Sequence, residues 1–451
     1  MPEFLTLLPP DDARALLFSY LSPPITDSEL IDVPSALGRV LAADLRASHP
    51  LPDFERSTVD GYAVRAGDTH GASDSLPAYL NLIGEVPMGA APAFEVEAGQ
   101  CASIHTGGML PRGADAVVML EYTQIIRRGD FHGRLGAGAS PAPTNEIEIF
   151  RAIAEGENVI RVGEDVAQGQ LIQPKGSRMR PAEIGGLMAL GVTKANVVRK
   201  VRVGLISTGD EVVDPSQSPR PGQVRDVNSY TLSALVEKSG GTATRYGIIS
   251  DEFEALKDAA AKALLECDVV IITAGSSAST RDMTAEVIRS LGTPGVLVHG
   301  INTRPGKPTI LGVCDGKAVI GLPGNPVSAL VNGYLFVVPV LEKLLGALPR
   351  PRATVLARLT VNLPSQAGRE DWWPVKLIAN RQLPIADRQP LTADRQPLTA
   401  NRQSLIANYD AEPIFGKSNL IFTLASADGL LRIHPDATGL SAGEMVEVYL
   451  L

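Results

Sequence analysis

The stretch TRPGKPTILG, at residues 303–312, places two basic side chains, Arg304 and Lys307, in a turn stiffened by proline and glycine. A second turn of the same kind, GLPGNPVSALV, follows at residues 321–331. One interpretation is a β-hairpin whose basic residues lie in solvent at its tip, which is the ordinary role of an isolated Pro-Gly turn. The other is a binding site for an anion, which needs support from elsewhere in the chain.

Carboxylates follow three segments that are predicted to be strands. VRVGLIST leads into Asp210 and Glu211, YGIIS leads into Asp251 and Glu252, and VVIITAG leads into a loop of small residues that contains Asp282. Open α/β sheets bind ligands at the carboxyl ends of their strands, and the loop's backbone N–H groups could hold phosphate. Carboxylate oxygens suit Mg²⁺. Taken singly, Asp251 and Asp282 would instead be helix N-caps.

Other classes of function find little support. The motifs GxxxxGK[ST] and GxGxxG are absent, which argues against hydrolysis of nucleoside triphosphates and against NAD chemistry. The net charge of -9 argues against a nucleic-acid-binding face. Three cysteines without CxxC spacing suggest neither a disulfide framework nor a zinc site. Without a signal-like or membrane-spanning apolar run, the expected location is the cytoplasm, with no membrane partner.

The elements that position these residues can be read from the pattern of the chain. Strand and helix patterns alternate at the spacing of βαβ units through the middle, which predicts a doubly wound α/β domain. Two helical patterns, DDARALLFSYL and SELIDVPSALGRVLAADLRA, stand near the start of the chain. Short β-runs broken by Gly and Pro lie between these patterns and the α/β domain. The last part predicts an all-β domain. The predicted domains are 1–47 with 152–198 (helical and linker), 48–151 (β-rich), 199–347 (α/β) and 348–451 (β).

Residues 381–408 consist of four heptapeptides that share the pattern RQxxxAx, and the last three read RQxLxAx. A coiled coil is disfavoured because prolines at positions 384, 390 and 397 would break a helix. The unit is also much shorter than those of the common solenoids. We expect a disordered insertion between two strands of the last domain, and the alternative is an ordered or functional segment.

Eight motifs then carry a resemblance to the molybdopterin molybdenumtransferase family, which includes the C-terminal part of gephyrin. In chain order they are STVDGYAVRAGD, SIHTGGMLPRGADAVVMLEYT, STGDEV, NSYTLSALV, GIISDE, TAGSSASTRDMT, RPGKP and GLPGNPVSALV. The resemblance implies an L-shaped homodimer whose central α/β domain holds the pterin, with an N-terminal helical and β-rich arm. It also implies insertion of molybdate into adenylylated molybdopterin, with Mg²⁺-dependent release of AMP, to form molybdenum cofactor. A molybdopterin adenylyltransferase would be the upstream partner.

The resemblance also implies roles for individual residues. Asp251 and Asp282 would hold Mg²⁺, and Glu211 would act with them in catalysis; Ser276 would contact the pterin substrate. Asp60 and Thr106 of the β-rich domain should reach the cleft, although each stands beside a glycine and could simply shape a turn. The implied oxyanion pocket for molybdate consists of Arg304, Lys307, Pro308, Ser328, Arg369 and Ser418.

Some alternatives stay open at the level of sequence. The family commonly has Lys where this chain has Arg304, and a planar guanidinium differs in geometry from a compact ammonium group. Arg369 could instead only stack on the neighbouring Trp372. A binding or scaffolding protein with a vestigial site, and an enzyme that inserts tungstate, are the alternative functions.

Overall fold

The structure is a computed structural model, and it describes residues 7–127, 145–274, 278–379 and 409–451. Ser276 and the repeat at 381–408, which was predicted to be a disordered insertion, lie outside the described residues. The three cysteines are buried and free.

The central region is a sheet with helices on both faces. In chain order its elements are β13 (Val201–Thr208), β14 (Val212–Val213), β15 (Val224–Arg225), α3 (Asn228–Lys238), β16 (Gly241–Ile249), α4 (Phe253–Glu266), β17 (Val269–Ala274), α5 (Ala278–Leu291), β18 (Pro294–His299), β19 (Thr303–Arg304), β20 (Ile310–Cys314), β21 (Lys317–Pro323), α6 (Pro326–Asn332) and α7 (Val338–Leu344). The described strands have the order β16-β13-β17-β21-β20-β18. Pairing is parallel from β16 to β21, and antiparallel for β21–β20 and β20–β18.

Burial on both faces explains the continuous apolar strands of this sheet. Along β17, Val269 and Ile271 pack with α3 and the α6–α7 run, whereas Val270 and Ile272 pack with α4 and α5. Successive strand residues point to opposite faces, so a strand covered on both sides must be apolar at every position. The predicted α/β fold is therefore confirmed, with one refinement: the sheet is mixed, because β20 and β18 form an antiparallel edge.

The C-terminal domain is a small closed sheet. Its elements are β22 (Thr354–Leu359), β23 (Leu363–Pro364), β24 (Glu370–Ala379), β25 (Tyr409–Pro413), α8 (Phe422–Ala425), β26 (Gly429–Ile433), β27 (Gly439–Leu440) and β28 (Met445–Leu450). The order is β19-β24-β25-β22-β28-β26, and an additional β24–β26 pairing closes the sheet. The short strand β19 of the central region thus pairs with β24, which joins the two domains.

The expectation of an all-β C-terminal domain needs a correction at α8. The sequence LIFTLASADGLLRI lies in the part expected to be all-β, but Phe422–Ala425 is a helical turn and the next strand starts at Gly429. Leu424 is buried there while Phe422 is exposed. Short apolar runs fit a helical turn as well as a strand, and the packing of Leu424 into the central core decides between them.

The N-terminal arm and the β-rich domain precede the central sheet. Their elements are α1 (Pro10–Tyr20), β1 (Ser28–Asp32), β2 (Leu45–Arg46), β3 (Arg56–Ser57), β4 (Gly61–Val64), β5 (Ala78–Glu85), β6 (Gln100–Ile104), β7 (Ala116–Met119), β8 (Thr123–Arg127), β9 (Asn145–Ile149), β10 (Val159–Ile160), β11 (Leu171–Gln173), α2 (Pro181–Ala189) and β12 (Lys194–Val198). The described strands β7-β4-β6-β5-β9-β8 form one sheet.

The second predicted N-terminal helix is wrong. Its residues form β1, a 3-10 turn at Val33–Ala36 and β2, and β1 pairs antiparallel with β12. Pro34 and Gly38 interrupt the helical pattern, and Gly38 has a φ of 74°. A strand partner from a distant part of the chain then satisfies the backbone groups of β1.

One helical run, Pro326–Leu344, is long and apolar enough to span a membrane by length and composition. About 72% of it is buried inside the protein. It is the core helix that carries α6 and α7, joined by a π-helical turn at Gly333–Val337.

Candidate functional site

The basic turn found in the sequence lies against another domain. Thr303 and Arg304 form β19, which pairs with β24, and Thr303, Gly306 and Thr309 are buried. The loop does connect two antiparallel strands, β18 and β20. Arg304 and Lys307 are exposed, as the hairpin interpretation expects, but the β19–β24 pairing attaches the loop to the C-terminal domain, so it is not an isolated hairpin.

A pocket of about 710 Å³ lies at this contact between the two domains, and we call it the junction pocket. It is formed by the β18–β20 loop, the start of α6, the start of β24 and the chain that follows β25. Six of its lining residues are those implied for an oxyanion pocket: Arg304, Lys307, Pro308, Ser328, Arg369 and Ser418. The structure therefore brings together residues from two domains that the sequence could only list side by side.

The junction pocket has a strongly positive lining. Arg304, Lys307, Arg369 and Lys417 line it, and its described lining residues include no Asp or Glu. A concentration of cations without carboxylates attracts anions, even in a chain with net charge -9. Arg and Lys also give charge-assisted hydrogen bonds to oxyanions.

A buried carboxylate, Asp371, stands behind two of these cations. Its side chain is 1% exposed. Arg369 donates from Nε and Nη2 to the two oxygens of Asp371, at 2.7 and 3.1 Å. Arg304 Nη1 lies 3.7 Å from Asp371 Oδ2, and its guanidinium lies over the ring of Trp373, 5.3 Å from the centroid. Arg369 is thus held by an ion pair, and the cation over Trp372 is Arg432.

The backbone of the turn is fitted to its neighbour Asn332. Gly306 has a φ of 106°, and a Cβ there would lie 1.6 Å from Asn332 Nδ2. That amide donates to the carbonyl oxygens of Pro305, at 3.1 Å, and Ser328, at 2.8 Å. Only glycine fits this position, and the amide ties the basic turn to α6.

A second pocket, of about 580 Å³, lies at the carboxyl ends of the parallel strands, and we call it the strand-end pocket. Ser207 and Thr208 of β13, Thr273 of β17 and Glu211 contribute to it. Asn325 and Asn419 line both pockets, so the two share a wall. One elongated ligand could occupy both.

Two polar residues of the strand-end pocket were not singled out from the sequence. Asp226 is buried and accepts hydrogen bonds from the hydroxyls of Ser207, at 2.8 Å, and Ser229, at 2.6 Å. Asn228 donates to the Gly324 carbonyl at 2.8 Å, while its buried Oδ1 has no hydrogen-bond partner among the residues that the structure describes. A buried acceptor without a donor is costly, and an N–H group of a ligand would satisfy it. The motif NSYTLSALV was the available signal, but sequence does not reveal which of its polar atoms is unpaired.

The carboxylates predicted to act at the Mg²⁺ site differ in their hydrogen bonds, their exposure and their position relative to the strand-end pocket. The Thr208 hydroxyl donates to Asp251 Oδ1, and the Asp251 backbone N–H lies 3.4 Å from Asp210 Oδ1. Asp282 is exposed within α5. Neither is an N-cap: Glu252 occupies that position before α4, and Asp282 lies inside its helix. Glu211 alone among these three predicted residues lines the strand-end pocket.

Among the residues that the structure describes, no group of three or more His, Cys, Asp and Glu side chains is placed to hold a metal ion. The available donors near the strand ends are hard oxygens, which suit Mg²⁺. Mg²⁺ in proteins is often held by one or two carboxylates, with substrate phosphates and water completing its coordination. The donor set therefore fits a metal that arrives with a phosphate ligand better than a permanent all-protein site.

Asp60 and Thr106 lie in the β-rich domain, away from both pockets. The Thr106 backbone N–H and hydroxyl donate to Asp60 Oδ1 at 2.7 and 3.1 Å, and these bonds lower the pKa of the Asp60 carboxyl. His105 lies beside them, 3.1 Å from Glu85 Oε1. The described lining of both pockets contains no residue of this domain. Within one chain, the structure does not bring Asp60 and Thr106 to the cleft.

Comparison with known proteins identifies the family of this chain. Family models for the MoeA N-terminal region (domains I and II), a probable molybdopterin binding domain and the MoeA C-terminal region (domain IV) match residues 8–191, 204–343 and 389–451. A molybdopterin molybdenumtransferase of Nostoc is 34% identical over 71% of this chain and 70% of its own. The chain belongs to the molybdopterin molybdenumtransferase family. It is therefore a transferase of molybdenum cofactor biosynthesis.

The family likeness extends over the whole chain. A putative molybdopterin biosynthesis protein of Methanocaldococcus jannaschii is 33% identical and covers 99% of this chain and 98% of its own. The crystal structure of the molybdopterin biosynthesis protein MoeA of Pyrococcus horikoshii matches with a TM-score of 0.79 and 32% identity, over 99% of this chain and 100% of that one. The strand-end pocket is built mainly from the part that matches the molybdopterin binding domain.

Proposed function

We propose that this molybdenumtransferase inserts molybdate into adenylylated molybdopterin and releases AMP in a Mg²⁺-dependent reaction that forms molybdenum cofactor. The observation that supports it most directly is the shared wall at Asn325 and Asn419. A cationic pocket suited to an oxyanion meets a mostly polar pocket, lined by Glu211, Asp226 and Arg225 among others, that would suit a pterin. A substrate that spans the wall would place its metal-binding end beside the bound oxyanion.

In this proposal the junction pocket binds molybdate. Arg304, Lys307 and Arg369 supply the charge, and Ser328 and Ser418, with the backbone near Pro308, complete the donors to the remaining oxygens. Charge-assisted hydrogen bonds of this kind contribute about 1.5–3 kcal/mol each. Binding the oxyanion beside the substrate converts an encounter in solution into a reaction between neighbours.

The strand-end pocket would hold the pterin. Asn228 Oδ1 is an acceptor for a pterin N–H, and the buried Asp226 keeps neighbouring hydroxyls in place. Glu211 at the pocket lining would act in catalysis, and Ser276 would contact the substrate. Mg²⁺ would be held by Asp251 and Asp282 together with pyrophosphate oxygens, where it would offset the phosphate charge during AMP release.

We further propose a homodimer. Asp60 and Thr106 face neither pocket of their own chain, so a second copy would have to supply them if they contact the substrate. The proposed reaction takes place in the cytoplasm, where the three buried free thiols stay reduced and a molybdopterin adenylyltransferase supplies the substrate.

The test uses purified protein, adenylylated molybdopterin and Mg²⁺, with molybdate or tungstate added separately, and follows AMP release. We expect release with molybdate and Mg²⁺ together and little without either. Release in the absence of both oxyanions would contradict metal insertion. Release with tungstate but not with molybdate would show that the inserted metal is tungsten. No release under any condition would favour a binding protein with a vestigial site.

A further inference from the structure

We propose that Asp371 is a positioning residue of the junction pocket. Its buried carboxylate holds Arg369 and Arg304 so that both guanidinium groups present N–H donors to one tetrahedral dianion. This inference rests on the proposed binding of molybdate in that pocket. Asp371 itself does not line the pocket and would not touch the oxyanion.

The placement of Asp371 follows from the pairing of two strands. Arg304 of β19 is the register partner of Asp371 in the parallel β19–β24 pair. Asp371 and Trp373 are two residues apart on β24 and share one face of the strand, and both contact Arg304. Arg304 is therefore held by a carboxylate and by an aromatic ring at once, which restricts a side chain that is otherwise 54% exposed.

The geometry of the Arg369 N–H donors explains how the Asp371 carboxylate can orient this side chain. A guanidinium has five N–H donors in one plane. Asp371 occupies the edge formed by Nε and Nη2. The remaining N–H groups of Arg369 must then face away from Asp371, and Arg369 lines the pocket. An arginine without this partner would adopt several rotamers and lose entropy on binding.

The neighbouring acid Glu370 provides a matched control. It is also buried, but it accepts from Trp372 Nε1 at 2.6 Å and from Arg432 Nη2 at 2.5 Å. Trp372 lines the junction pocket, whereas Glu370 and Arg432 do not. Replacing Glu370 by Gln removes a buried charge from the same strand without touching the two pocket arginines. Any general damage from such a loss should appear in both variants.

The experiment measures AMP release from the full-length protein against molybdate concentration for wild type, Asp371→Asn and Glu370→Gln. Asp371→Asn should raise the molybdate concentration for half-maximal rate about 10-fold, the scale expected when a supporting partner of a ligand-binding group is lost. The maximal rate and the dependence on adenylylated molybdopterin should stay near those of wild type. Glu370→Gln should leave the molybdate dependence unchanged, even if it lowers the melting temperature.

A second measurement separates positioning from damage to the fold. In a background that carries Arg304→Ala and Arg369→Ala, adding Asp371→Asn should raise the molybdate requirement no further, because Asp371 acts only through these arginines. An additional rise in that background would overturn the inference. Should Asp371→Asn fail to fold, Asp371→Glu keeps the charge and displaces the carboxylate, so the molybdate requirement should still rise at an unchanged maximal rate; an unshifted curve would overturn the inference.

The outcomes distinguish this inference from the function on which it rests. If Arg304→Ala and Arg369→Ala shift the molybdate curve while Asp371→Asn leaves it unchanged or lowers the requirement, Asp371 does not position them and the inference fails alone. If the two arginine variants also leave the curve unchanged, the junction pocket does not bind molybdate and the proposed function of the pocket fails.

Discussion

The junction pocket and the strand-end pocket share a wall but differ in how they are built. The junction pocket needs two domains, because Arg304 and Lys307 come from the central region while Arg369 directly precedes β24 of the C-terminal domain. The strand-end pocket draws most of its lining from the central region, including the ends of β13 and β17. The first carries several cations and no described acid, and the second combines Glu211 and the buried Asp226 with one cation, Arg225.

In the proposed function, the two pockets bind different substrates. The cationic pocket suits a small dianion, whereas the strand-end pocket suits a ligand with both N–H donors and metal-bound phosphate. Variants in one pocket should therefore change the requirement for one substrate and leave the other requirement intact.

The largest effect is expected at the carboxylates near the strand ends. Asp251→Ala and Asp282→Ala should each lower Mg²⁺-dependent AMP release by about 100-fold or more while the protein stays folded, because a hard cation loses one of few protein ligands. The measurement is AMP release against Mg²⁺ concentration, with circular dichroism for the fold. Asp258→Ala, at an exposed position of α4, is the control. Variants that keep their activity and lose only stability would remove both residues from the metal site.

The next effect concerns the basic turn. Arg304→Ala and Lys307→Ala should each raise the molybdate requirement by roughly 10- to 100-fold, since each removes one charge-assisted contact. Binding of adenylylated molybdopterin should be preserved, and high molybdate should restore much of the rate. Lys376→Ala, at an exposed position of β24, should change nothing.

Arg304→Lys sharpens this result. If only charge matters, Lys restores the molybdate curve, as the family's common Lys would suggest. If the contacts with Trp373 and Asp371 matter, restoration should be incomplete, because an ammonium group lacks the planar fork. Unshifted curves for both alanine variants would remove the molybdate site from this turn.

Asn228→Ala tests the strand-end pocket, as the basic-turn variants test the junction pocket. It removes the unpaired acceptor, so the affinity for adenylylated molybdopterin should fall by about 10-fold, the effect of one lost hydrogen bond. The molybdate requirement should not move. Isothermal titration with the adenylylated pterin, together with the molybdate dependence of AMP release, makes the comparison. A shift in the molybdate curve alone would place Asn228 in the wrong pocket.

The smallest effect should follow removal of the repeat. Deleting residues 381–408 and joining the flanks by a short Gly/Ser linker should leave folding and AMP release nearly unchanged. Ala379 and Tyr409 are register partners at the ends of β24 and β25, so a short connection can join them. Loop length itself contributes little to stability. A large loss of melting temperature or activity would show that the repeat packs or binds something.

Prediction from sequence succeeded where the chain determines structure locally. The alternation of apolar strands and amphipathic helices identified the central fold, and eight ordered motifs identified the family. It failed where a distant partner decides, as in β1, which is a strand because β12 pairs with it, and in α8, where packing of Leu424 favours a helical turn. Polar residues such as Asp226 and Asp371 were missed because burial of a carboxylate depends on neighbours that the sequence does not list.

The sequence by itself determined the two turns, their glycines and the identity of the cations Arg304 and Lys307. Gly306 is required because its φ of 106° and its contact with Asn332 leave no room for a side chain. Only the tertiary structure decided that these cations face Arg369. The β19–β24 pairing aligns Arg304 with Asp371, whose buried carboxylate also holds Arg369. The register between strands of two domains is set by how the domains pack. That packing places Arg304, Lys307 and Arg369 around one pocket, where a small anion could contact all three.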